Sequence, residues 1–123
     1  MTSFNTTITT AVIVALVENG GCTISVRGDD APTAGYGLAV AGLGIRVAAG
    51  TPLRTAVFEF IAGRSSGLLL AGRYLGAWVD SATGDTYLDV TRVIADLDTA
   101  LDLARATGEI AVWDFANGVE IRA

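Results

Sequence analysis

The chain has 123 residues, of which 51% are hydrophobic and 17% charged, with a net charge of -5. That is one domain's length, enough to bury roughly two-thirds of the unfolded surface without staples, and too apolar for a disordered segment. Lysine and histidine are absent, and the lone Cys22 excludes an internal disulfide and a cysteine-based zinc site.

Residues 4–19 read as a first helix, because Ile8, Val12, Ala15 and Leu16 recur at spacings of three and four. Asn19-Gly20-Gly21 stops it with residues that tolerate positive φ. The apolar run Ala11 to Val17 has seven residues, too few for a bilayer span of about 20. Met1 to Asn5 carry no basic group, so a signal peptide is not expected and the expected location is cytoplasmic.

Cys22 to Val26 alternates as a half-buried strand, with Cys22 a small core residue in it. Arg27 to Ala34 is a loop, and its Arg27-Gly28-Asp29 spells an integrin-binding tripeptide that nothing else in the chain supports. Tyr36 to Ala41 and Ile45 to Ala48 read as two more strands around a Gly42-Leu43-Gly44 turn. The three strands together suggest a meander.

The second helix begins at Thr51 as N-cap with Pro52 in the first helical position. Leu53, Val57, Phe60 and Ile61 form its apolar stripe, and Gly63 with Ser65-Ser66-Gly67 ends it. Leu68 to Leu70 is a short buried strand or a helical turn. Tyr74 to Asp80 and Thr86 to Val93 are the clearest strands, joined as a hairpin with Gly84 at a positive-φ position. Leu75, Ala77 and Val79 share one face with Leu88 and Val90; Tyr74, Gly76 and Trp78 share the other with Tyr87 and Asp89.

Asp96 or Asp98 caps a third helix with the stripe Leu97, Ala100, Leu101 and Ala104, closed by Gly108. Ile110 to Phe115 is an apolar strand, Asn117-Gly118 signals a two-residue turn, and Val119 to Ile121 returns. The sum is a single α+β domain over residues 1–123: a mainly antiparallel sheet of about six or seven strands with three helices on one face.

The composition removes most catalytic chemistry. Without histidine there is no serine or cysteine triad and no usual acid–base residue. Asp80, Asp85 and Asp89 bracket the central hairpin and Asp114 lies on a later strand, and carboxylates gathered on a sheet could hold a hard cation or form an acid–base pair. Their spacing fails a calcium loop, since Ala82 and Gly84 stand where ligands belong. The plainer reading has Asp80 and Asp85 shaping a turn and Asp89 facing solvent. Gly35, Gly37, Gly42 and Gly44 lack the strand-turn-helix setting of a phosphate loop and read as turns and bulges. No catalytic residue, metal site or cofactor is expected.

Eight scattered arginines on an acidic chain do not suit nucleic acid, which requires clustered positive charge. An anionic small ligand would require Arg27, Arg46, Arg73 or Arg92 to converge. The aromatics Tyr74, Trp78 and Tyr87 fall on one sheet face, and Trp113 with Phe115 lies on a later strand. Beneath a helix they are core; uncovered, they are a binding surface of the residue types that carry most interface energy.

The run Tyr74-Leu75-Gly76-Ala77-Trp78-Val79-Asp80, followed by Thr83-Gly84-Asp85-Thr86-Tyr87-Leu88-Asp89-Val90, Ala100 to Arg105 and Ile110-Ala111-Val112-Trp113-Asp114, resembles small proteins of actinobacteria and their phages. Those share the glycine-tryptophan hairpin and the Tyr-Leu-Asp-Val strand. The likeness covers about residues 74–122 and departs at Gly108-Glu109, where an Asn-Gln-like pair would be expected. It implies a GC-rich bacterial or phage origin, in keeping with the missing lysine, and carries no activity or site residue with it.

The expected function is therefore a non-enzymatic protein-binding accessory factor of phage or mobile-element origin, acting on a host or phage protein through Tyr74, Trp78, Tyr87 and Trp113. The alternative is a self-assembling structural or virion-associated protein, a homo-oligomer favoured by the low charge. An enzyme dependent on the four aspartates comes third. No nucleic acid and no membrane are expected as partners.

Overall fold

The computed structural model describes residues 2–123, with side chains from Asn5 onward. In chain order the elements are α1 (Thr2–Asn19), β1 (Gly21–Ile24), β2 (Tyr36–Ala39), β3 (Ile45–Val47), α2 (Leu53–Gly63), α3 (Ser65–Leu68), β4 (Arg73–Val79), β5 (Thr86–Ile94), α4 (Leu97–Thr107), β6 (Ala111–Asp114) and β7 (Val119–Arg122). The class is α+β: one seven-stranded antiparallel sheet, curled into a half-barrel, with three substantial helices.

β5 organises the sheet because it is long. At nine residues it pairs with β4 along one edge and divides the other between β3 and β2. The order is β1-β4-β5-β2-β6-β7, with β3 beside β5. The expected meander of the first three strands is not formed: β1 pairs with β4, and β2 lies between β5 and β6. The length of β5 is the reason, since it provides partners for both β2 and β3 while β1 closes on the far side of the hairpin.

Alternation along β4 and β5 sorts their side chains by face. Leu75, Ala77, Leu88 and Val90 are buried and share one cluster with Val12 and Leu16 of α1 and Val57, Phe60 and Ile61 of α2. A second cluster joins Leu38 of β2 and Val112 of β6 to Ala100 and Ala104 of α4. Each fully buried Leu or Val contributes roughly 1.5–3 kcal/mol by leaving water. All of this packing is on one side of the sheet.

The helix ends follow local chemistry. Asp96 caps α4, its carboxylate accepting from Thr99 N at 2.9 Å, and the hydrogen bonds to Thr99 lower its pKa. Gly108 ends α4 in the left-handed region at φ 79°, letting Glu109 N donate to Ala104 O. α2 begins one residue later than Thr51-Pro52 suggests. Pro52 keeps an extended ψ of 112° and takes the cap position, and no side chain caps the helix. Leu68 closes the helical turn α3 rather than forming a strand. The last hairpin also differs from the two-residue turn read at Asn117-Gly118. The Asp114 carboxylate accepts from Ala116 N, Asn117 N and Asn117 Nδ2, which spreads the loop over residues 115–118.

Candidate functional site

No helix packs on the sheet face opposite the helical layer, and the loop between β1 and β2 reaches its edge through Ala31 and Pro32. The curl folds this face into a cleft of about 760 Å³ that contains Trp78 and Trp113. In the sheet these two belong to β4 and β6, with β5 and β2 between them. Gly21 and Thr23 of β1 line the β4 side, Asp89, Thr91, Gly37 and Ala39 lie in the middle, and Ala111, Phe115 and Glu120 line the β6 side. Glu109, just beyond α4, completes the rim.

Two glycines make the depth. A Cβ on Gly76 would lie 2.5 Å from Thr91 Oγ1, and one on Gly37 would lie 2.8 Å from the Phe115 ring. Glycine lets β4 and β2 pass close to these side chains and leaves the middle of the sheet low between taller aromatic walls.

Trp78 stacks on Tyr87, its cross-strand partner, with ring centroids 4.5 Å apart and planes at 12°. Trp78 is nonetheless 46% exposed and Trp113 45% exposed. Ile110, 67% exposed, is a third large apolar residue on the cleft. So of the four aromatics expected to bind, Trp78 and Trp113 line the cleft. Tyr87 supports Trp78 from beside it, and Tyr74 lies half-buried four residues back along β4, outside the cleft. No helix covers this surface.

Glu109 is the functional candidate that sequence reasoning missed, and Asp89, named there among four aspartates and read as facing solvent, joins it in the cleft. Asp89 does point away from the helices, but it is half-buried in the cleft rather than solvated. Burial first, and the nearby Glu109 charge second, push its pKa up to about 6. Neither carboxylate makes an ion pair or a side-chain hydrogen bond among the described residues. Glu120 is paired with Arg122 at 3.2 Å. None of the arginines lines the cleft. The available signal was a carboxylate in the middle of the longest strand, opposite a glycine.

The other aspartates do not join Asp89. Asp80 accepts from Ala82 N, and Asp85 accepts from Ala49 N and faces Arg46 at 3.8 Å. Asp114 is buried and committed to its loop. Among the described residues no group of three or more acidic or cysteine side chains gathers to hold a metal.

Of the four arginines named for an anion site, only Arg73 and Arg92 come together. Arg27 pairs with Asp29 at 3.2 Å and Arg46 lies by Asp85. Arg73 and Arg92 are cross-strand partners on the helix side of the sheet. Cys22 packs against the core, and burial pushes its thiol up to about 11, so it is not a thiolate nucleophile. A smaller hollow of about 200 Å³ between α1 and α2 is lined by Thr6, Thr9, Arg54, Thr55 and Phe58.

No described helix is long and apolar enough to cross a membrane. Comparison with protein families, with curated proteins and with solved structures finds no match for this chain.

Proposed function

We propose that the chain is a non-enzymatic binding factor that receives a segment of a partner protein in the concave cleft of its sheet. The observation that supports this reading best is the pair of half-exposed tryptophans in one cleft that no helix covers. A monomeric domain gains nothing in stability from leaving such surface in water. Tryptophan in a partly desolvated groove is the residue type on which binding energy concentrates.

An extended segment suits the shape better than a broad surface contact. β1 is an edge of the sheet and borders the cleft through Gly21, Cys22 and Thr23. A partner chain pairing its backbone with such an edge drops alternate side chains into the groove beside it. The resemblance to actinobacterial and phage proteins directs the search for that partner to an actinobacterial host.

The test is capture from an actinobacterial lysate with tagged wild-type protein and with a Trp78→Ala/Trp113→Ala variant matched for fold by circular dichroism. The expected result is one stoichiometric protein that elutes with the wild type and is lost with the variant. A partner retained equally by the variant would place the interface elsewhere. Recovery of the protein alone, above monomer size, would move the assignment to self-assembly.

A further inference from the structure

We infer that the cleft selects a positively charged side chain, an arginine, on the segment it binds, with Asp89 and Glu109 as the recognising carboxylates and the tryptophans as its walls. This rests on the reading of the cleft as the partner-binding surface and adds to it the chemistry of what enters.

Charge complementarity carries the inference. Among the described residues the cleft holds the carboxylates of Asp89, Glu109 and Glu120 and no arginine, although the chain has eight arginines to place. Glu120 is already satisfied by Arg122. Asp89 and Glu109 are not, and Asp89 is half-buried. A charge held there without a partner costs free energy that an incoming cation recovers.

The glycine opposite Asp89 keeps that carboxylate reachable. Gly76 is its cross-strand partner, and a Cβ there would lie 3.8 Å from Asp89 Oδ2; on the other side Gly44 lies closer, where a Cβ would be 3.0 Å from Oδ1. Any larger side chain at Gly76 would begin to roof the carboxylate. Trp78, two residues along the same face, lies diagonal to Asp89 across the β4–β5 pair. Such diagonal neighbours are roughly 7–8 Å apart at the backbone, within reach of one side chain touching both.

Arginine fits that geometry. Its planar guanidinium stacks on an indole face while its fork donates two hydrogen bonds to a carboxylate. Its aliphatic stem lies against apolar surface of the kind that Ile110, Ala39 and Phe115 provide.

The experiment is a titration of the intact ¹⁵N-labelled protein with the peptide acetyl-Gly-Ala-Arg-Ala-Gly-amide. A matched peptide carrying citrulline, which keeps the shape of arginine but loses its charge and has an acceptor oxygen in place of one donor NH2 group, is the control. The arginine peptide is expected to shift the amides of Asp89 and Glu109 and the indole N–H signals of both tryptophans. Citrulline is expected to bind at least about tenfold more weakly, the loss of a charge-assisted contact. Asp89→Asn and Glu109→Gln, each checked for an intact spectrum, should weaken the arginine peptide and leave the citrulline peptide unchanged.

Affinity for arginine should also fall from pH 7 to pH 5 as Asp89 takes up its proton. The other titratable groups at the cleft are Glu109, Glu120 with its partner Arg122, and Cys22, whose thiol keeps its proton over that range. Equal binding of the two peptides, or none by either, would overturn the inference. The partner reading fails separately, in the capture experiment. A partner lost on Trp78→Ala/Trp113→Ala but held by Asp89→Asn would leave the cleft as the binding surface and remove the cation.

Discussion

The two faces of β5 follow opposite rules within one strand. Leu88 and Val90 face the helices and are fully buried. Tyr87 and Asp89, one residue away in each case, face the cleft and stay partly accessible. The helix side contains branched apolar side chains in two packed clusters, and one buried polar atom without a partner, Nε of Arg92. The cleft side contains what stability alone would not select: tryptophans half in water, a floor cut down by glycine, and a half-buried carboxylate without a counter-ion. Binding sites depart from the stability optimum in this way. The contrast also assigns a different consequence to each substitution.

The largest effect belongs to the helix side. Leu88→Ala removes a fully buried side chain from the strand that pairs with β2, β3 and β4. It should cost about 2–5 kcal/mol, from lost transfer energy and the cavity left behind, read as a lower urea midpoint with little change in slope. Whatever fraction stays folded should bind the arginine peptide normally. A large loss of binding in the folded fraction would mean that the two faces are not independent.

Asp89→Asn should act in the opposite direction. The folded-state pKa of about 6 lies above the ordinary 3.8, so the folded protein binds more protons than the unfolded chain between those values. Stability therefore falls as pH rises through that window. At pH 7 the ionised carboxylate costs at most about 3 kcal/mol relative to pH 3. Asparagine removes that cost. The variant should melt higher than the wild type at pH 7, match it near pH 4, and lose the fall in stability between pH 4 and 6. Thermal melts across that range check it. A variant that melts lower at pH 7 would mean that the carboxylate supports the fold, and the cleft side would no longer differ from the helix side.

Much of this division can be read along the chain, and the part that cannot has a physical cause. The alternation of Leu75, Ala77, Leu88 and Val90 against Trp78, Tyr87 and Asp89 is visible in the letters, because strand periodicity is local. So are the cap at Asp96 and the stop at Gly108. Pairing is not local. Nothing in Gly21–Ile24 says that its partner is β4, fifty or more residues away. The curl is the least legible feature. It turns Asp89 from an outward residue into a cleft residue and brings Glu109 near enough to act on it, and it depends on Gly37 and Gly76 meeting Phe115 and Thr91 across strands. The loop at 115–118 is a similar case. Asn117-Gly118 is a turn signal, but the Asp114 carboxylate three residues earlier decides the loop length.

The two tryptophans separate stability from binding most finely. Trp78 loses a stacked partner when truncated, so Trp78→Ala should cost about 1 kcal/mol, the worth of an aromatic pair with some buried area. Trp113 is equally exposed and faces Gly37 and Glu120 across its neighbouring strands rather than another ring. Trp113→Ala should therefore change stability by only about 0.5 kcal/mol, the range of ordinary surface substitutions. Its effect on partner retention should nevertheless equal that of Trp78→Ala, because both line the same cleft. Urea denaturation and quantitative capture on the two single variants give both numbers. If Trp113→Ala leaves retention intact while Trp78→Ala abolishes it, the binding surface is confined to the β1–β4 side. The segment would then run along the β1 edge without crossing to β6.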